Sequence, residues 1–210
     1  MHTKLYKSCP KKLQARQLTI IEPYRQLFHQ RLPTNKQYWS LCSQQVNDNG
    51  SLLPDSELDQ LLKSNLISQN QFHGVDREQH VIDLNQKYLP NCHWYNNDLY
   101  RAMCIKNLNP GIINIDTIEM PATGIILVAK IMDLLNHANI HEVLLTANFV
   151  LQTRHHKIQT DAINKAINSN MKFLQCFVAG NWQITSSKDY KYPGTGNSKT
   201  IMGSIILHRL

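Results

Sequence analysis

From residue 20 onward the chain alternates short apolar runs with longer stretches whose apolar residues recur every three or four positions, and it does so five times before the rhythm stops. Strands joined through helices are joined by crossovers, and crossover-linked strands lie parallel in one sheet. The clearest unit is Gln71-Phe72-His73-Gly74-Val75-Asp76-Arg77-Glu78, an apolar run that ends in an acid and leads straight into a helix. That helix carries Val81, Leu84 and Tyr88 on one face and stops at Leu89-Pro90.

The same periods place the other elements. Glu22-Pro23 opens a helix with proline in its first turn, and Tyr24, Leu27, Phe28 and Leu32 share its apolar face. Residues 38–42 read as a short buried strand, and Asp55 is a candidate cap for a helix striped by Leu58, Leu61, Leu62 and Leu66. Residues 93–96 form the next expected strand, ending at Asn97-Asp98, and residues 112–116 another, ending in Asp116. A long helix after Pro121 turns Ile125, Val128, Ala129, Met132 and Leu135 inward. Residues 143–149 read as a buried strand with a helix over 161–168 behind it. Residues 172–178 and 200–207 then read as strands with only turn-rich sequence between them, so they pair antiparallel. The expected fold class is α/β: a Rossmann-like, doubly wound, mostly parallel sheet with a C-terminal antiparallel β-hairpin.

Composition narrows the setting. With 42% hydrophobic and 18% charged residues, a chain of 210 residues is expected to bury one real core, here assigned to a single domain over 20–210. No apolar run approaches the roughly 20 residues that cross a bilayer, so no membrane partner is expected. The first residues lack the apolar stretch of a secretory signal. Five scattered cysteines are no disulfide framework, which points to a reducing, cytoplasmic setting. Net charge is +7, and Lys4, Lys7, Lys11, Lys12 and Arg16 precede the first acid, Glu22. Residues 1–19 thus read as a basic arm, either a nucleic-acid contact or a solvated mobile tail.

Five parallel strands, their crossover helices and a final hairpin resemble the class I methyltransferases that use S-adenosylmethionine (SAM), and the arrangement is also similar to phage-encoded methyltransferase-like proteins. The resemblance spans roughly residues 20–210 and lies in element order. It implies SAM as cofactor. It puts Leu41 and Cys42 at the turn after the first strand, Asp76 on the ribose hydroxyls, and Asn97 and Asp98 at the adenine edge. Asn114 and Asp116 take the catalytic position, with Thr117, Tyr192 and Lys199 at the substrate rim. The chain departs from the family at Ser40-Leu41-Cys42-Ser43-Gln44, where the family carries glycines that let the backbone approach the cofactor. Asp116-Thr117-Ile118-Glu119 also lacks the prolines and aromatic residue of base-amine methyltransferases. Two functions stay open: a methyltransferase with an unknown acceptor, nucleic acid among the candidates, or a non-catalytic nucleic-acid- or protein-binding module on the same fold.

Other signals carry less. Gly194 to Thr200 ends like a phosphate-binding loop but lacks its glycine spacing and has no helix to open, which excludes a nucleoside triphosphatase. No Cys-x-x-Cys or His-Glu-x-x-His pattern accompanies the ten histidines, so no metal is expected. Cys42 reads as a nucleophile or a small buried hydrophobe. Asp116 reads as a general base, a substrate-positioning group or a helix cap. Trp39, Trp94 and Tyr95 suit either core or base stacking, and strand alternation puts Trp94 and Tyr95 on opposite faces.

Overall fold

Parallel strands are covered on both faces by their own crossovers, and the computed structural model shows how this chain divides them. It describes residues 10–28, 31–116, 121–151, 175, 178, 180–193 and 199–210. The strands are β1 (Gln37–Leu41), β2 (Phe72–Asp76), β3 (His93–Asn96), β4 (Pro110–Asp116), β5 (Glu142–Leu151), β6 (Trp182–Pro193) and β7 (Lys199–Arg209). They form one sheet in the order β3-β2-β1-β4-β5-β7-β6. The first five are parallel, and β7 is inserted antiparallel between β5 and β6. The chain steps outward from β1 to β3, then returns to the other side of β1 for β4. That reversal leaves a crevice beyond the carboxyl ends of β1 and β4.

Residue alternation sorts the sheet into two cores. Tyr38, Phe72, Ile112, Leu144 and Ile206 face Leu58 and Leu61 of α3 (Glu57–Lys63), together with Ile20 and Ile21 from the N-terminal helical segment. Trp39, Val75, Ile113, Leu145 and Ile205 face the opposite way, onto α5 (Leu99–Met103) and α6 (Pro121–His137). The helix α4 (Gln79–Tyr88) joins the first face through Leu84 and Tyr88. Gly74 sits mid-strand because Trp94 crosses it: a Cβ there would stand 2.3 Å from the indole and 2.8 Å from Cys42 Sγ. As alternation requires, Tyr95 lies on the other side, stacked on the fully buried Trp39 at 5.2 Å between ring centroids.

Three expectations need correction. Residues 10–19 are not a mobile tail: they form α1 (Pro10–Arg16) and the first part of a π-turn, Gln17–Ile21, that runs on into α2 (Glu22–Phe28). Ala15, Thr19, Ile20 and Ile21 are buried there, and a lysine-rich sequence hid them because its apolar residues are few. The strand that pairs with β7 in the hairpin is β6, whereas residues 172–174, 176 and 177 of the expected strand lie outside the described residues. Gln175 lies in a 3-10 turn and Val178 in no strand. Among the described residues β6 pairs only with β7, as an edge strand, so polar residues such as Ser187, Lys188 and Lys191 serve it well and disguise it as a turn. The cap of α3 is Ser56, whose Oγ accepts from Asp59 N, while Asp55 takes a positive φ of 62° just before it. The helix expected over 161–168, the loop 194–198 and residues 1–9 lie outside the described residues.

Among the described residues no group of histidine, cysteine, aspartate and glutamate could hold a metal, and no helix is long and apolar enough to cross a membrane.

His73 is sandwiched between Trp39 and His93, each 4.4 Å away between ring centroids, with Tyr95 Oη 3.1 Å from its Nδ1. Burial, then the neighbouring His93, lowers its pKa from 6.5 to about 3. Between those values the unfolded chain binds a proton that the folded chain does not. Stability is therefore intact above 6.5 and declines as the pH falls toward 3. At about pH 5 the loss from this one group is about 2 kcal/mol. Urea unfolding from pH 7 to pH 5 should show that decline in the native chain and a flatter curve in His73→Gln. Parallel curves would mean the acid sensitivity lies elsewhere.

Candidate functional site

The strand register aligns one polar residue from each of four strands. Ser40 pairs with Asn114, Asn114 with Thr146 and Thr146 with Ser204, all on the face that carries α1 and α3. All four are buried. Their polar groups need partners inside the protein, and α3 supplies the central one. Ser56 ends the preceding loop and starts the helix, which places Glu57 in the first turn, pointing at the sheet. Tyr38 Oη donates to Glu57 Oε1 at 2.8 Å and Asn114 Nδ2 donates to the same oxygen at 2.9 Å. The other end of the Asn114 amide accepts from Thr146 Oγ1 at 2.7 Å.

One step further along the strands, at the rim of the crevice, stands Asp116. Its carboxylate is 2.5 Å from Lys12 Nζ and 3.8 Å from Arg16 Nη2, and it accepts from Asn148 Nδ2 at 2.9 Å. Arg16 Nη2 also lies 3.9 Å from Glu57 Oε2. An acid from α3 and one from β4 thus meet two cations from α1, and the side chains of Arg16, Glu57 and Asp116 are 3%, 2% and 7% exposed. Burial alone would raise the Asp116 pKa; Lys12 and Arg16 outweigh it and hold the carboxyl below its ordinary value. A carboxyl so held keeps its charge and accepts a proton poorly, which suits positioning better than general-base work.

The remaining expected residues divide into three groups. Asp76, Asn97 and Asp98 come together at the ends of β2 and β3, because Asn97 N donates to Asp76 O at 3.2 Å. Asp76 is half-buried; its Oδ1 accepts from Glu78 N at 2.8 Å, and burial raises its pKa. Asp98 caps α5, accepting from Arg101 N at 2.8 Å. Leu41 and Cys42 lie at the end of β1 but face opposite ways: Leu41 packs on the α6 side, Cys42 on the α3 side. Burial, reinforced by Glu57 and Asp76, pushes the Cys42 thiol well up, so it is a buried apolar group and not a nucleophile. Asn114 is fully buried, with both amide ends engaged. Thr117 and the side chains of Tyr192 and Lys199 lie outside the described residues; the backbones of Tyr192 and Lys199 pair with Thr200 and Pro193.

The turn after β1 is built without glycine. Gln45 is buried there: its N donates to Asn85 Oδ1 at 2.9 Å, its Nε2 to Ser43 O at 2.8 Å, and its Oε1 accepts from Leu58 N at 3.0 Å. One glutamine therefore ties the turn to α3 and α4. Sequence reading missed Glu57, Arg16 and Gln45 as site residues. Ser56-Glu57-Leu58-Asp59 carries a helix-start signal, but nothing in it marks Glu57 as a buried charge.

No family model and no curated protein matches the chain. Solved structures do. TYW2 from M. jannaschii, in complex with AdoMet, is similar with a TM-score of 0.57 and 7% identity, over 99% of this chain and 80% of that one. TrmN from Thermus thermophilus is similar with a TM-score of 0.47 and 8% identity, over 95% of this chain and 53% of that one. The 16S rRNA (adenine(1408)-N(1))-methyltransferase from Catenulisporales acidiphilia gives 0.46 and 9%, over 99% and 94%. The fold of this chain is the Rossmann-like fold of the class I SAM-dependent methyltransferases.

Removing one charge from a buried ionic cluster strands its partners, at a cost of about 3 kcal/mol. Glu57→Gln keeps the acceptor for Tyr38 and Asn114 yet leaves Arg16 with one acid, so its denaturant midpoint should drop by that equivalent. An unchanged midpoint would show that the cluster does not depend on the Glu57 charge.

Proposed function

We propose that this chain binds SAM across the carboxyl ends of its parallel strands and acts as a methyltransferase. The observation that carries the reading is the pair of acids at adjacent strand ends, Asp76 closing β2 and Asp98 just after β3, on strand ends joined by Asn97 N donating to Asp76 O beside the β1/β4 reversal. Carboxylates in that position accept hydrogen bonds from ribose hydroxyls. Asp76 takes the ribose, Asn97 and Asp98 the adenine edge, and Leu41 and Cys42 border the methionine end. The nucleoside half of the ligand fits these residues. The half that carries the methyl group points toward Asp116, where α1 now lies, with Thr117, Tyr192 and Lys199 at the rim.

Bound SAM supplies an activated methyl group. The protein's task is then alignment of an acceptor with that group, which lowers the barrier by positioning. Asn114 supports the site from beneath, fixing Glu57 and Thr146, and does not touch the acceptor. The net charge of +7 favours a polyanionic acceptor, and nucleic acid is the class that fits. The interior of a reducing cell is the setting that five scattered cysteines suit.

Thermal unfolding with and without SAM tests the reading. At 100 times its dissociation constant a ligand adds about 2.7 kcal/mol, which moves the melting temperature of a chain this size by roughly 6 °C. The shift should vanish in Asp76→Ala. No shift at millimolar SAM, or an equal shift in the variant, would sink the assignment.

A further inference from the structure

The chain's own N-terminal helix lies against the carboxyl end of β4, at the edge of the β1/β4 reversal. Lys12 reaches Asp116 at the end of β4, and Arg16 spans Asp116 and Glu57. The attachments of α1 differ in kind from those of the segment behind it. Besides the ions, α1 is held by Gln60 Nε2 donating to Leu13 O at 2.9 Å and by Tyr190 Oη donating to Gln14 Oε1 at 2.9 Å. Its one apolar residue in the core is Ala15. Directly afterwards the π-turn and α2 bury Ile20, Ile21 and Tyr24 in that core. The apolar anchor thus begins where α1 ends, and the change of helix type falls on the same boundary. A break between polar and apolar attachment is where local opening separates from global unfolding.

We propose that α1 is an autoinhibitory latch. Residues 10–16 release from the sheet as a unit, while Gln17–Phe28 stays docked, and ligand enters the crevice beside Asp116 only in the released state. On release Asp116 and Glu57 exchange the Lys12 and Arg16 cations for water, and little apolar surface is exposed. The latch is independent of which ligand enters; its effect on SAM rests on the donor reading above.

Hydrogen exchange on the full chain, read by mass spectrometry, tests it with Lys12→Met and with the double variant Lys12→Met, Arg16→Met. Loss of these ion pairs should raise exchange in 10–16 by at least about tenfold more than in 18–24. Lys12→Met guards against a double variant that fails to fold. SAM binding, measured by calorimetry, should tighten in Lys12→Met by a similar factor. Unchanged exchange in 10–16, or equal acceleration in 10–16 and 18–24, would overturn the latch. So would SAM binding with the same affinity to the native chain and to a variant whose 10–16 is released. If SAM binds neither protein while 10–16 alone is freed, the donor reading fails and the latch stands.

Discussion

A buried carboxylate must be answered by donors and cations or it unfolds what surrounds it, and in this chain the carboxylate of Glu57 sets that demand. Tyr38 from β1, Asn114 from β4 and Arg16 from α1 all converge on it. Three elements that are distant in sequence are thereby fixed to the start of α3. Asp116 extends the same cluster to the edge of the crevice, and its two cations neutralise what two acids at one end of a sheet would otherwise repel. Within the row of Ser40, Asn114, Thr146 and Ser204, Asn114 is answered by Glu57 from α3 and by Thr146 beside it.

This arrangement bears on chemistry. A glycine-rich turn would let a cofactor lie against the backbone after β1; this turn has no glycine and is instead held by Gln45, through side-chain hydrogen bonds to α3 and Ser43. Asp116 is already paired with Lys12 and Arg16. The cluster ties the end of β4 to a helix about 100 residues earlier in the chain than Asp116.

Much of the architecture was legible in the sequence. Parallel strands buried on both faces have to be apolar, so residues 72–76, 112–116 and 143–149 announced themselves, and the acids at strand ends stood out against them. Other parts were not legible, for physical reasons. Among the described residues the edge strand β6 has one strand neighbour, so it tolerates polar residues and Ser187-Lys188-Asp189 looks like a turn. The helix α1 is held by charge instead of an apolar stripe, so periodicity missed it and its lysines suggested a free tail. Ser40, Asn114 and Thr146 each look like an incidental polar residue in an apolar run; only the register shows that they are neighbours. The acids at positions 76 and 98 were found because they lie at strand ends, whereas Glu57 was missed because burial of a charge leaves no mark in the local sequence.

The π-turn over Gln17–Ile21 brings together two angular phases on one helical rod. An α-helix advances about 100° per residue, so one residue more or less in a turn rotates everything before it by about that angle relative to everything after it. Ile20, Ile21 and Tyr24 fix the rotation of the rear half against the core, and Lys12 and Arg16 fix that of the front half against the acids. A single-residue deletion that turned the wide turn into a regular one would leave the core intact and swing both cations off their carboxylates. The registry of the site is thus encoded in a count of residues, and a change of length here is a change of aim.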